Sequence, residues 1–214
     1  MDYYTNSLRE LQVGASLIFQ HGSGIDSKIM EKGIFILLVF LGVLAVSKLL
    51  FALSTGLCSP LTGGALFTTT HSSKIQKILD SVLMKPGQIV YDLGCGDGRF
   101  LVSAYRRYGV RAIGYEINPL AYLLAKMRVW LTHSKVDIYY KDFWKVNLGD
   151  ADIVFCYLFP DVMDRLREKL TQELKLGTQI ISCNFAVPGW QPDKILKADH
   201  SIHIDPIYIY TFGI

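Results

Sequence analysis

Asp92-Leu93-Gly94-Cys95-Gly96-Asp97-Gly98-Arg99 stands between a short apolar run at residues 88–92 (QIVYD) and a helical pattern at 97–108. Three glycines alternate there because the chain must turn sharply and let a ligand approach the backbone, which a Cβ would block. The helix that follows would offer its free first N–H groups to that ligand. Further on, Glu116 ends a second apolar run at 112–116 (AIGYE), where a carboxylate can accept hydrogen bonds from both hydroxyls of a ribose. Turn, helix and strand-end acid in this order signal a nucleoside-binding crevice.

Outward from that turn the same alternation continues. Ser73 and Gln76 have the form of a capping box, and Ile75, Ile78, Leu79, Val82 and Leu83 recur at helical spacing until Pro86 and Gly87. Strands are expected at 136–140, 153–157 and 179–183, and helices at 120–131 and 162–174, the latter opened by Pro160 and Asp161. Arg165, Arg167, Glu168 and Lys169 read as a solvated helix face. Residues 202–204 and 207–210, separated by Asp205 and Pro206, are rich enough in β-branched and aromatic side chains to be two final antiparallel strands. The expected fold is therefore α/β and Rossmann-like: a mostly parallel seven-strand sheet, helices on both faces, and an antiparallel C-terminal strand.

The 214-residue chain is half hydrophobic, 19% charged and has a mean hydropathy of +0.27, which excludes intrinsic disorder. A net charge of +3 is too small for a nucleic-acid footprint, so no nucleic-acid partner is expected. Cys58, Cys95, Cys156 and Cys183 form no close Cys-x-x-Cys pair, so no metal site is expected, and they read as small free thiols of a reducing compartment. The apolar excess is concentrated at 33–53, GIFILLVFLGVLAVSKLLFAL, which as a helix spans about 31 Å against a hydrocarbon core of about 30 Å. Lys48 is close enough to the end of the run to snorkel. A core helix would leave a polar stripe, and a signal peptide would lie nearer the start with a basic leader. The chain thus divides into an N-terminal segment (1–32), a transmembrane or membrane-embedded helix (33–55), a linker (56–70) and a soluble domain (71–214). Within 1–32 a loose Leu8, Leu11, Ala15, Ile18 spacing carries no assigned function. Lys28 and Lys32 precede the apolar run, a charge bias that favours a cytoplasmic N-terminus.

The spacing of Gly94, Gly96 and Gly98 is G-x-G-x-G, not the G-x-G-x-x-G of dinucleotide folds. Asp92 would repel the diphosphate of a dinucleotide, whereas S-adenosylmethionine brings an ammonium and a sulfonium that it would attract. A third acid, Asp142, precedes Phe143 and Trp144; it could accept from an adenine amino group while an aromatic ring covers the base, or it could be an ordinary turn residue.

VYDLGCGDGRF, GYEINP and KDFW together resemble the successive cofactor motifs of the seven-strand S-adenosylmethionine-dependent methyltransferases, over residues 71–214. The apolar run, GGALFTTT, DFWKV and CNFAVPGWQPD are similar, more narrowly, to the membrane-anchored protein-lysine methyltransferases acting on the ATP synthase c-subunit or the adenine nucleotide translocase. The resemblance implies S-adenosylmethionine as cofactor, with Asp92, Gly94, Gly96, Glu116, Asn118, Asp142 and Phe143 lining its pocket beside Cys95 and Gly98 of the turn. Where the family has a proline-rich segment before the first motif, this chain has Leu66-Phe67-Thr68-Thr69-Thr70.

Methyl transfer from a sulfonium to an amine needs alignment and a dry channel more than acid–base groups. A lysine acceptor must be neutral, and its deprotonation at pH 7 costs about 4.6 kcal/mol from a reference pKa of about 10.4. Tyr157, Phe159 and Trp190 could wall a lysine channel, or be core and loop aromatics; Asp161 could orient the amine, or simply cap its helix. The expected function is N-methylation of a lysine on an integral membrane protein, with the domain on the cytosolic or matrix side, against the charge bias. The alternatives are methylation of a quinone or lipid and a non-catalytic cofactor-binding module.

Overall fold

The computed structural model describes residues 27–58, 70–197 and 205–213. The chain divides into two units, Met1–Leu50 and Phe51–Ile214. A single long helix, α1 (Ser27–Cys58), contains the apolar run, and its stretch Lys28–Leu50 is long and apolar enough to cross a membrane. Its described side chains are exposed, most of them large and apolar. Its one described hydroxyl among them, that of Ser47, donates back to the Val43 carbonyl at 2.8 Å, a hydrogen bond within the helix itself. The Leu8–Ile18 pattern, the side chain of Cys58 and residues 59–69 of the linker lie outside the described residues.

In the second unit the chain runs through α2 (Ser72–Ser81), β1 (Ile89–Leu93), α3 (Arg99–Tyr108), β2 (Arg111–Glu116), α4 (Pro119–Leu131) and β3 (Val136–Tyr140). A 3-10 turn (Phe143–Lys145), β4 (Ile153–Cys156), α5 (Pro160–Glu173), β5 (Gln179–Cys183), β6 (Lys194–Leu196) and β7 (Ile207–Thr211) follow. The seven strands lie in the order β3-β2-β1-β4-β5-β7-β6, parallel from β3 to β5, with β7 antiparallel to both β5 and β6. Strand order reverses between β1 and β4, and such reversals open a crevice beyond the carboxyl ends of the strands.

Each face of the sheet has its own core. One joins Ile75, Ile78 and Leu79 of α2 and Phe100 and Leu101 of α3 to Val90, Phe155, Ile181 and Ile209. The other joins Met163, Leu166 and Leu170 of α5 to Tyr91, Leu93, Val154 and Ile180. Strands buried on both faces read as continuous apolar runs, which is why the sheet was legible at QIVYD and AIGYE.

Several expectations are corrected. The helix after the glycine turn begins at Arg99, not Asp97, because Gly98 holds a left-handed φ of 73° as its N-cap. The N-cap of α2 is His71, which places Ser73 inside the first turn and not at the cap position that the Ser73–Gln76 box requires. Leu83 is 79% exposed, since the chain turns extended at Val82. The sixth strand is Lys194–Leu196, too short and exposed to show in the sequence, and the strand expected at 202–204 lies outside the described residues. Lys169 is buried instead of solvated: its Nζ donates to the Val146 carbonyl at 2.6 Å and to Glu173 Oε1 at 2.6 Å, tying α5 to the loop after β3.

Candidate functional site

β1 delivers Asp92 to the mouth of the crevice and then turns. Gly94, Gly96 and Gly98 all have positive φ, at 80°, 55° and 73°, a run that residues with a Cβ would adopt only under strain. The turn is stapled to β2, since the N–H groups of Gly94 and Cys95 both donate to the Tyr115 carbonyl at 3.0 Å. It also rests on a glycine that sequence reasoning passed over. A Cβ on Gly114 would lie 2.6 Å from Leu101 Cδ1 and 2.7 Å from Cys95 Sγ. The only signal for it was a glycine inside a strand pattern.

Asp97, the remaining acid of the turn, is a clamp. Its carboxylate receives Arg99 at 2.6 Å and Arg128 of α4 at 2.7 Å, and Arg128 Nε donates to the Asp97 carbonyl at 2.9 Å. Burial raises its carboxyl, but the Arg99 hydrogen bonds and the Arg128 charge outweigh it and hold the group below its ordinary value. The glycine turn is thereby fixed to two helices.

Glu116 ends β2 as expected, yet its bonds differ from the expectation. Oε2 accepts the Gly96 N–H at 2.8 Å, and Oε1 accepts those of Ile117 at 2.9 Å and Asn118 at 2.7 Å. A carboxylate has about four acceptor positions, so about one is left for a ribose hydroxyl, on Oε2. Burial raises the Glu116 carboxyl, countered by those three backbone donors. Asn118 caps α4, accepting the N–H groups of Leu120 at 3.0 Å and Ala121 at 3.2 Å.

Asp92 is different in kind. It is 3% exposed, and among the described residues no donor reaches its carboxylate. Burial, then the charges of Glu116 and Asp97, push its carboxyl well above the ordinary range. A buried acid facing another acid is a site whose missing partner is a cation. The Cys95 thiol is raised by burial and by the same two carboxylates, Asp92 and Glu116, so it stays neutral. The crevice therefore suits a ligand that brings a positive charge to Asp92 and a hydroxyl to Glu116, and S-adenosylmethionine carries both.

Asp142 accepts the Trp144 N–H at 3.0 Å and caps the 3-10 turn, while Phe143 packs against Trp144 with ring centroids 4.7 Å apart. Arg165 covers the Trp144 ring at 4.1 Å.

The four acceptor-side residues have different surroundings. Tyr157 packs with the core of the α2 and α3 face, whereas Trp190 packs with the core of the α5 face, stacked on Phe212 at 5.5 Å. Phe159 is the half-buried N-cap of α5, and Asp161 is exposed in its first turn. Tyr157 donates to Asp205 Oδ2 at 3.3 Å, and burial, with the Asp205 charge, pushes its phenol up to about 12. Sequence reasoning missed Asp205, read as a turn residue, and Lys74, whose place four residues before Ile78 put it on the buried stripe of α2. A cavity of about 350 Å³ between α2, α3 and α4, lined by Arg99, Arg106 and Arg128, does not include Asp92, Glu116 or Asp142 and is not this crevice.

Residues 92–194 match the model of the ANTKMT methyltransferase domain. The chain is 31% identical over 150 residues to a protein-lysine N-methyltransferase of Saccharolobus islandicus, covering 69% of this chain and 93% of that protein. It is 36% identical over 133 residues to the mouse adenine nucleotide translocase lysine N-methyltransferase, covering 61% of this chain and 57% of that one. With the human ATP synthase c-subunit lysine N-methyltransferase the identity is 30%, covering 67% and 60%. The chain thus spans about 60% of the length of these two mammalian relatives. Among solved structures, an RNA methyltransferase from Salinibacter ruber in complex with S-adenosyl-L-homocysteine superimposes with a TM-score of 0.63 at 28% identity, covering 67% of this chain and 93% of that one.

Proposed function

The chain belongs to the S-adenosylmethionine-dependent protein-lysine N-methyltransferases, and from that premise we propose that its acceptor is a lysine of an integral membrane protein. Support comes from one coincidence: a crevice with a buried acid suited to a cationic donor stands in the same chain as a helix long enough to cross a bilayer. Two of the relatives are named for membrane-protein acceptors, the adenine nucleotide translocase and the c-subunit of ATP synthase. Anchoring an enzyme in the membrane of its acceptor raises the local concentration of that acceptor without any new contact.

In this reading Asp92 faces the ammonium of the cofactor and Glu116 Oε2 accepts a ribose hydroxyl. The backbone of Gly94, Cys95, Gly96 and Gly98 lies against the nucleoside. Asp142 and Phe143 take the adenine edge and face, and Asn118 holds the turn that presents Glu116. The bound cofactor supplies a methyl group on a sulfonium, and the chain supplies alignment and exclusion of water. The domain faces the cytosol, or the matrix if the membrane is mitochondrial, where cofactor and reduced thiols coexist.

Membranes carrying the protein, incubated with methyl-labelled cofactor, test this directly. Label is expected in protein, on lysine after hydrolysis, and is expected to vanish with Glu116→Ala. Label in the organic extract would replace a lysine acceptor by a quinone or lipid. Cofactor binding without label in any fraction would leave a binding module.

A further inference from the structure

The carboxyl ends of β4 and β5 and the start of β7 bring three groups around one buried ammonium. Lys74, in the first turn of α2, is 2% exposed. Its Nζ lies 3.0 Å from Asp205 Oδ2, 3.4 Å from Asn184 Oδ1 and 4.3 Å from the centroid of the Tyr157 ring. The Tyr157 hydroxyl donates to the same Asp205 oxygen, which keeps ring and carboxylate together. An aromatic face, a carboxylate and an amide oxygen form a complete recognition set for a primary alkylammonium. Stability alone is a weak reason to keep it, since apolar side chains of similar volume often replace a buried ion pair without loss.

The set lies beside the cofactor crevice. Leu93, Cys156 and Ser182 share one row across the sheet, so Tyr157 and Asn184 follow just past that row, next to the Gly94 turn. Asp92 and Lys74 are both near enough to act on the Cys183 thiol, in opposite senses. Asn184 holds a left-handed φ of 71°, secured by its N–H to the Pro206 carbonyl at 2.9 Å, which aims its side chain at Lys74.

We propose that the Tyr157 ring, Asn184 Oδ1 and Asp205 Oδ2 are the ammonium subsite for the acceptor lysine, and that Lys74 is its resident occupant, which the incoming side chain displaces. The inference rests on the acceptor being a lysine. An acceptor seated there arrives as an ammonium and gives one proton to the Asp205 carboxylate, which is 45% exposed and passes it to water. The freed Nζ lone pair forms the nitrogen–carbon bond as the sulfur–carbon bond breaks, its electron pair returning to sulfur. The methylammonium product then carries the positive charge and stays over the Tyr157 ring.

The test uses full-length protein saturated with S-adenosylhomocysteine and n-butylammonium as the probe. Lys74→Met keeps the length and apolar stem of the side chain and removes its charge. The variant is expected to bind n-butylammonium at least tenfold more tightly than the natural protein, and adding Tyr157→Leu is expected to abolish the gain. Equal affinity in the two proteins, with S-adenosylhomocysteine binding retained, overturns the proposal. If Lys74→Met fails to fold, Tyr157→Leu alone decides. A KM for Nα-acetyl-lysine amide raised about tenfold at unchanged S-adenosylhomocysteine affinity supports the subsite, and an unchanged KM overturns it. The amine titration needs no turnover, so a failure to find methylated lysine in membranes counts against the acceptor and not against the subsite.

Discussion

Asp92 is a carboxylate that the fold buries without a donor among the described residues, and this sets its dependence on pH. Its carboxyl is raised in the folded chain, so the folded state binds a proton that the unfolded state has already released. The stability it contributes is present below the ordinary carboxylate pKa and is lost as pH rises through the raised value. Asp92→Asn is therefore expected to raise the melting temperature of the cofactor-free protein at pH 7, by about 2–4 °C for each kcal/mol recovered in a chain of this size. The gain should fade toward pH 4. The same variant is expected to lose about tenfold or more in S-adenosylhomocysteine affinity, because the ligand ammonium loses its counter-charge. Scanning calorimetry across pH, with and without ligand, checks both signs; a variant less stable than the natural protein at pH 7 would contradict them. Asp92 and Glu116 were legible because their distance from the glycines is short-range information. The three N–H groups that occupy Glu116 were not, since they come from two different loops.

Among the elements, β2 shows how a strand can serve a loop. Gly114 in its middle leaves room for Cys95 and Leu101, so the glycine turn settles onto the sheet. Gly114→Ala is expected to push that turn outward, to cost about 1–3 kcal/mol of stability by overpacking, and to weaken cofactor binding out of proportion to the loss of stability. Urea unfolding and ligand titration on the same sample separate the two effects, and intact binding would show that the turn tolerates the shift. α5 holds the Asp142 loop through Lys169, a residue whose sequence context of alternating charges suggested water. Periodicity reports which side of a helix is apolar, and it cannot report that a carbonyl-rich loop will fold over a lysine. β6 was missed for a related reason: three residues gain strand character only from pairing with β7.

Across the chain, α1 and the α/β unit differ in where their apolar side chains lie. Lys28–Leu50 exposes side chains that are mostly large and apolar, whereas the α/β unit buries its apolar residues in two cores. An arginine near the middle of a spanning helix costs about 2.5–3.5 kcal/mol on insertion scales. Leu38→Arg combined with Leu41→Arg is expected to move the protein from the membrane pellet to the soluble fraction after carbonate extraction, with S-adenosylhomocysteine affinity unchanged. A pellet unaffected by both arginines would mean that something other than α1 holds the protein there. The α/β architecture, the glycine turn with its acids and the apolar span all follow from residues near one another in the chain, because turn chemistry, strand composition and helix hydropathy are local properties. The arrangement of Lys74, Tyr157, Asn184 and Asp205 around one ammonium, the Asp97 clamp and the packing of Tyr157 and Trp190 against different cores depend on which strands lie side by side. Pairings between distant segments leave no mark on either segment alone, so those features came into being with the folded sheet.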